Sequence, residues 1–210
     1  MLDWCKRHPV IVNVCLWGFY IGCFFLVEHL VRVPRFIIHC GLDDVIPFVK
    51  YAVWPYLLWF PYILLSLLWL LNEDCKNFWK LSLMMVIAML GVLLFYVVMP
   101  NGLDLRPKAV EGQDLTTIIV NMLWRSDTAC NVCPSIHVMD SLLIDFTLTG
   151  SLSLREHKEM KWLSHIVCIA ICLSTMFLKQ HSVIDVLAGA GCAVVVYAIG
   201  EMLTEKDKNM

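Results

Sequence analysis

The chain has 210 residues, of which 60% are hydrophobic and 16% are charged. Soluble domains average about 45–50% apolar and about 25% charged residues, so this composition excludes an ordinary soluble protein and indicates a membrane protein. The net charge of −2, together with a sequence that has no basic run, argues against a nucleic-acid partner.

Six apolar runs predict an all-α polytopic membrane protein that forms one domain over residues 1–210, because a membrane-spanning helix needs about 20 apolar residues. The predicted spans are 9–31, 51–71, 81–98, 135–152, 162–178 and 183–203. No small-residue cleavage site follows the first run, so we expect an uncleaved span rather than a signal peptide. Pro55 and Pro61 predict a kink early in the second span. The aromatic residues crowded there are typical of an interfacial belt.

The connections between the spans differ in character. Residues 32–50 are half apolar and contain Asp43 and Asp44, a pattern that fits either an interfacial helix or a re-entrant turn. The longest polar segment is 99–133. Within it, residues 115–124 have apolar positions at helical spacing, which predicts a helix lying along the membrane surface.

The orientation follows from the lysine and arginine residues of the connections. Of the 16 in the chain, nine fall on the side of the two termini, among them Lys6, Lys206 and Lys208, and seven fall on the other side. The positive-inside rule therefore predicts cytoplasmic termini and an extracytoplasmic 99–133 segment.

Three short motifs carry the residues suited to chemistry. They are Leu-Asp-Leu-Arg-Pro, which contains Arg106, Cys-Pro-Ser-Ile-His, which ends at His137, and Lys-Gln-His-Ser-Val-Ile-Asp, which contains His181. In a protein with six spans, the third and fifth connections lie on the same side. The topology therefore predicts that these three side chains meet at one membrane face, at the extracytoplasmic ends of the helices.

Several groups in these motifs are suited to binding a phosphoryl group. Pro134 suits the first position of the fourth helix, and the free amides of Ser135, Ile136 and His137 would then bind an anion at the helix start. The guanidinium of Arg106 can grip two phosphate oxygens, and Lys179 offers a further positive charge.

His181 and Asp185 are one helical turn apart, so their side chains share a face. A carboxylate there fixes the imidazole tautomer and makes the other ring nitrogen a better nucleophile. His137 can then protonate the leaving oxygen as a general acid. These residue types predict phosphoester cleavage through a phosphohistidine.

At these positions the chain resembles the type 2 phosphatidic acid phosphatase superfamily of membrane lipid phosphatases and phosphotransferases. The motifs of that family are Lys-x6-Arg-Pro, Pro-Ser-Gly-His and Ser-Arg-x5-His-x3-Asp. The matching residues are Arg106 and Pro107, then Pro134, Ser135 and His137, then Ser174, His181 and Asp185. The resemblance implies that His181 is the nucleophile, Asp185 its orienting residue and His137 the general acid, with no metal or other cofactor.

The chain departs from the family pattern at three positions. Ile136 replaces the glycine of the second motif, and Met99 and Thr175 stand where the family has a lysine and an arginine. Lys179 is our candidate for one of the two missing charges, and Lys108 or Arg125 for the other.

This variation of the motif cations is similar to the branch that holds inositol phosphorylceramide and sphingomyelin synthases. We therefore expect a phosphatase that acts on a lipid phosphate or polyprenyl diphosphate within the bilayer. A phosphotransferase that moves a phosphorylated head group to a lipid alcohol is the alternative. A non-catalytic scaffold or a transporter is a third possibility.

Two aspartates fall within the fourth predicted span, where a charge facing lipid would cost about 2.5–3.5 kcal/mol. Asp140 and Asp145 are therefore expected to face the interior of the bundle. Asp140, one turn from His137, is equally suited to supporting that residue and to bonding between helices. An ion pathway through the pair is the rival interpretation.

Two further patterns favour structural roles. Cys130 and Cys133 form a lone CxxC pair, which is a weak metal signal because a structural zinc site needs four ligands. Gly189 and Gly191, in the last predicted span, are expected to permit close helix packing.

Overall fold

The computed structural model describes residues 7–208, with side chains described as far as residue 204. Lys6 and the side chains of Lys206 and Lys208, which the charge argument counts, lie outside the described residues. The helices are α1 (Pro9–Leu30), α2 (Gly41–Val45), α3 (Val53–Leu57), α4 (Trp59–Glu73), α5 (Cys75–Val98), α6 (Leu115–Ser126), α7 (Ile136–Gly150), α8 (Lys158–Phe177) and α9 (Val183–Lys208). Short 3-10 turns lie at Lys50–Ala52 and Leu152–Leu154.

Five helical stretches of the described chain are long and apolar enough to cross a membrane. They are Pro9–Leu30, Lys50–Glu73, Cys75–Val98, Lys158–Phe177 and Val183–Thr204. These stretches correspond to the first, second, third, fifth and sixth predicted spans. The chain is thus a mostly helical membrane protein, as its composition predicts.

The fourth predicted span differs from the others. Residues 135–152 contain the 15-residue helix α7, which at about 1.5 Å per residue is about 22 Å long. The hydrocarbon core of a bilayer is about 30 Å thick, so α7 is too short to count as a span by length.

Helix α7 lies at the centre of the bundle and contacts α4, α5, α8 and α9. Asp140 and Asp145 on this helix are 0% and 6% exposed, which confirms that both face the interior. Asp145 accepts hydrogen bonds from Ser164 Oγ at 2.6 Å and pairs with His165 Nδ1 at 2.8 Å. Asp145 therefore ties α7 to α8 in the interior of the bundle.

The second span is interrupted, as its prolines predict. Helix α3 ends at Leu57 and α4 begins at Trp59. The Leu58 amide between them donates to the carbonyl of Pro55 at 3.2 Å, which is a tight turn in place of the regular helical bond.

The third and fifth spans begin earlier than their apolar runs. Helix α5 starts at Cys75 because the carboxylate of Asp74 caps it, accepting from the amide of Asn77 at 3.1 Å. Helix α8 starts at Lys158. The residues added at the start of each helix include charged side chains, so a search for apolar runs leaves them out.

The 32–50 connection is neither a single helix nor a simple turn. It holds strand β1 (Phe36–Ile37) and helix α2, and it ends at the 3-10 turn that leads into α3. Strand β1 pairs in parallel with β2 (Asn101–Gly102), so the first and third connections form one small sheet that the sequence does not predict.

Helix α6 confirms the helix predicted within the 99–133 segment. The side chain of Asp114 caps it by accepting from the amide of Thr117 at 3.1 Å. Its buried Val120 packs with Val53, Tyr56 and Leu178, so α6 covers the ends of α3 and α8.

Candidate active site

The start of α7 differs from its prediction by two residues. Ser135 is the capping residue and its hydroxyl oxygen accepts from the amide of Val138 at 3.4 Å. The first helical residue is therefore Ile136, and Pro134 lies before the helix rather than at its first position. The amides of Ile136 and His137, in the first turn, have no partner within the helix.

The segment before α7 is held by two buried side chains. Asn101 donates to the carbonyl of Cys133 at 2.9 Å and accepts from the amides of Val132 and Cys133 at 3.0 and 2.8 Å. The hydroxyl of Tyr96 donates to the carbonyl of Pro134 at 2.7 Å. These bonds fix the direction in which the chain enters α7 and hence the position of His137.

A tight turn joins α8 to α9 and positions His181. The amide of Lys179 donates to the carbonyl of Met176 at 3.0 Å, and the amide of Gln180 donates to that of Thr175 at 2.9 Å. This is the Schellman pattern of helix termination. Lys179 takes the left-handed conformation (φ +54°) that this turn requires, a position that more often holds glycine.

The side chain of Lys179 supports this turn. Its ammonium donates to the carbonyls of Asp43 and Ile46 at 2.7 and 2.5 Å, and the residue is only 8% exposed. Lys179 does not line the cavity described below, and its ammonium is occupied by these two carbonyls.

Asp43 holds the other side of the same turn. Its carboxylate accepts from the hydroxyl of Ser182 at 2.6 Å and from the amide of Val183 at 2.8 Å. Burial favours a higher pKa for Asp43, but these hydrogen bonds stabilise the anion and leave its pKa below the ordinary value. Sequence reasoning noticed Asp43 and assigned it no role, because its partners lie about 140 residues away in the chain.

His181 and Asp185 lie side by side at the start of α9. His181 Nδ1 is 3.5 Å from Asp185 Oδ2, and Asp185 is fully buried. Within the described residues, neither His181 Nδ1 nor Asp185 Oδ1 has a hydrogen-bond partner. The carboxylate and the ring are therefore in contact but are not joined by a direct hydrogen bond.

The imidazole rings of His137 and His181 face each other near the N-terminal end of α7. The centroids of the two imidazole rings are 6.0 Å apart. The rings of Tyr56 and Trp59 lie 4.5 and 4.4 Å from that of His137, so aromatic residues fix its orientation. The structure thus brings together the two histidines that the topology placed at one face.

Helices α7 and α9 meet closely beside these rings. The amide of Ser135 donates to the carbonyl of Asp185 at 3.1 Å, so the prediction that this amide is free to bind an anion is wrong. A β-carbon added to Gly189 would lie 2.5 Å from the carbonyl oxygen of Ser135. The close packing expected at Gly189 is confirmed, whereas a β-carbon at Gly191 would meet nothing within 4 Å.

Arg106 does not itself line the cavity described below, but hydrogen bonds link it to Gln180, which does. Its guanidinium donates to the carbonyl of Thr128 at 3.0 Å and to the side-chain oxygen of Gln180. Gln180 in turn donates to Asp127 at 3.0 Å, and the hydroxyl of Tyr56 donates to the same carboxylate oxygen at 2.9 Å. Burial lowers the pKa of Arg106, and the nearby Asp127 partly opposes this effect.

The two positions where the family motifs have cations hold no charge here. Thr175 is fully buried and its hydroxyl donates to the carbonyl of Cys172 at 2.7 Å. Met99 follows the end of α5 and is 41% exposed. Lys108 and Arg125, the other candidates, are exposed and do not line the cavity described below.

A cavity of about 600 Å³ runs from the two histidines down between α1 and α4. Aromatic and aliphatic side chains line most of it, including Trp17, Phe24 and Leu67. Polar groups lie at the histidine end, where Asp127, Asn131 and Gln180 contribute to the wall. The cavity therefore has a polar end that holds both imidazoles and a long apolar remainder.

The cysteine pair belongs to no metal-ligand cluster among the described residues. Cys130 and Cys133 are free thiols, and burial raises the pKa of Cys133 to about 12. Within the part of the chain that the structure describes, no group of three or more His, Cys, Asp or Glu residues is placed to hold a metal ion.

Sequence reasoning missed several residues of this site. Tyr56 and Trp59 are among the crowded aromatic residues of the second span, for which the sequence predicts only an interfacial belt. The sequence indicates no role for Asp127 or Gln180. The position of Gln180 directly before His181 is the one signal that could have drawn attention to it.

No protein-family model and no curated protein matches this chain.

Proposed function

We propose that the protein is an integral membrane phosphatase that hydrolyses a lipid phosphate or polyprenyl diphosphate through a phosphohistidine intermediate. One observation carries the proposal. The imidazole of His137 in α7 and that of His181 in the turn before α9 converge, with centroids 6.0 Å apart, at the polar end of a cavity that is otherwise mostly apolar. One phosphoryl group can contact both rings there while its alkyl chain fills the apolar remainder.

The chemistry proceeds in two steps. In the first, Nε2 of His181 attacks phosphorus and the bond between phosphorus and the lipid oxygen breaks. His137 donates its proton to that leaving oxygen, which departs as the lipid alcohol. In the second, water attacks the phosphohistidine, the P–N bond breaks and His137 takes a proton from the water. Inorganic phosphate leaves and both imidazoles return to their first state.

Asp185 assists both steps by orienting His181. Its carboxylate lies on the Nδ1 side of the ring at 3.5 Å, so it holds the proton on Nδ1 and leaves the Nε2 lone pair free to attack. A positive charge develops on the ring during attack, and the buried carboxylate stabilises it.

The transferred phosphoryl group is bound by Arg106 and by the start of α7. The free amides of Ile136 and His137 and the positive end of the helix dipole favour an anion. Ser135 supports this turn through its bond to Val138. The guanidinium of Arg106 now donates to Gln180 and to the carbonyls of Trp124 and Thr128, and it exchanges some of these bonds for the phosphate oxygens when the substrate binds.

We further propose that α7 is a sixth membrane-embedded helix, enclosed by the five longer ones. Both termini then lie in the cytoplasm and the site opens on the extracytoplasmic side. The nine-to-seven distribution of lysine and arginine residues supports this orientation. A short central helix also suits a site that must lie level with lipid head groups.

The test uses full-length protein purified in detergent and lipids with a radiolabelled terminal phosphoryl group. Wild type is expected to release phosphate without added metal and to yield a labelled enzyme that is stable to alkali and labile to acid. His181→Ala should lose both signals. His39→Ala is the matched control, because His39 lies in the 32–50 connection, pairs with Asp44 and does not line the cavity.

Two results bear on the alternatives. Unchanged phosphate release by His181→Ala would end the proposal. Addition of a lipid alcohol separates hydrolysis from transfer, since a phosphotransferase would form a new phospholipid faster than it forms free phosphate.

A further inference from the structure

The walls of the cavity are poor in positive charge. Among the residues that the structure describes, no lysine or arginine lines it. Arg106 approaches it through Gln180. The ammonium of Lys179 is occupied by the carbonyls of Asp43 and Ile46. Among the lysine and arginine residues that the structure describes, Arg106 is thus the one that we assign to a bound phosphoryl group.

A carboxylate lies at the same end of the cavity. Asp127 lines the wall, and one of its oxygens accepts from Tyr56 and Gln180. These two donors hold the carboxylate of Asp127 in place. Both donors are uncharged, so they do not neutralise its negative charge. Asp127 is also near enough to Arg106 to interact with it electrostatically.

The charge of the substrate decides how these groups act on it. A phosphate monoester carries about −1.5 to −2 at neutral pH, which Arg106 and the start of α7 together can balance. A second phosphoryl group adds further negative charge, and no lysine or arginine among the described lining residues is placed to receive it. Repulsion from Asp127 increases with each added charge, and the apolar walls leave little water to screen it.

We propose that the site selects a lipid with a single phosphoryl group over the corresponding diphosphate, and that Asp127 is a specificity-determining residue for this choice. This inference rests on the proposed phosphatase function. It narrows the substrate class from lipid phosphates and diphosphates in general to monophosphates.

The experiment compares two substrates that share one lipid moiety. Phosphatidic acid and diacylglycerol diphosphate with the same acyl chains are presented in the same detergent micelles, and initial rates of phosphate release give kcat/KM for each. Wild type is expected to favour the monophosphate at least tenfold. Asp127→Asn keeps a side-chain oxygen that can accept from Tyr56 and Gln180 but removes the charge. It should lower this ratio at least threefold, by raising diphosphate turnover.

The matched control is Asp104→Asn, which removes the charge of an exposed carboxylate in the same connection that does not line the cavity. Its substrate ratio should equal that of wild type. A general loss of folded protein does not change the ratio of the two kcat/KM values, because it lowers both rates equally.

Each outcome is decisive. Equal turnover of the two lipids by wild type, or preference for the diphosphate, overturns the inference and leaves the phosphatase proposal intact. An unchanged ratio in Asp127→Asn overturns the role of Asp127. Absence of phosphate release from both lipids, with no phosphohistidine formed, overturns the proposed function itself and the inference with it.

Discussion

Replacement of Gly189 by alanine tests how the two histidines are held at their distance. The added β-carbon would lie 2.5 Å from the carbonyl oxygen of Ser135, whereas ordinary contacts begin at 3.4 Å. Helices α7 and α9 would have to separate by about 0.9 Å, because the obstacle is backbone that cannot rotate away. Overpacking of this kind costs about 1–3 kcal/mol.

The same displacement reaches the proposed chemistry. Ser135 caps the helix that carries His137, and Gly189 lies one turn beyond Asp185. A misplacement of about 1 Å between reacting groups can reduce the rate by about 100-fold. We therefore expect Gly189→Ala to lower the thermal midpoint and to reduce kcat/KM for lipid phosphate by about 30- to 100-fold.

Gly191→Ala is the matched control, since it places the same methyl group two residues further along α9, where nothing lies within 4 Å. Helix propensity favours alanine over glycine by about 1 kcal/mol, so this variant should be as stable as wild type or more so. The two thermal midpoints, measured in the same detergent, compare the sites independently of activity. Equal midpoints and equal activities for the two variants would refute the close contact between α7 and α9.

Two further substitutions test groups that support the site. Lys179→Met removes two hydrogen bonds from a buried ammonium. It should lower the free energy of unfolding by about 2–3 kcal/mol, measured by denaturant titration against the exposed Lys76→Met; a raised KM with unchanged stability would instead assign Lys179 to substrate binding. The Lys50 ammonium lowers the pKa of Asp114 from 3.8 to about 2, so their attraction stabilises the fold above the ordinary pKa and is lost as the pH falls toward 2. Thermal scans should therefore find Asp114→Asn less stable than wild type above about pH 5, with the gap closing at acid pH; a gap that does not depend on pH would contradict the ion pair.

The sequence predicted the five long spans because each is a continuous apolar run, which lipid requires of any helix it surrounds. It did not distinguish α7 from them. A run of apolar residues looks the same in a buried short helix and in a membrane span. Asp140 and Asp145 do not distinguish the two cases, because both aspartates can face the interior of the bundle in either one. The helix is limited by Ser135 at one end and Ser151 at the other, both of which cap backbone amides.

The candidate site was predictable where topology alone fixes it. His137 and His181 were placed at one face because alternate connections share a side. The sequence predicts that Lys179 supplies a positive charge to the site because it is close to His181 in the chain. The direction of its side chain depends instead on a left-handed turn and on carbonyls more than 130 residues away. Pairings over such distances leave no periodic signal in a single sequence.

The distance between the two imidazoles depends on the connection between α1 and α3 as much as on the helices. Asp43 in α2 binds both sides of the turn that carries His181, through its carbonyl to Lys179 and through its carboxylate to Ser182. In the same connection, β1 pairs with β2, where Asn101 fixes the segment that leads to His137. Hydrogen bonds from this connection therefore support the segments that carry both rings. A shift of this connection would move the two histidines relative to each other even if every membrane helix stayed in place.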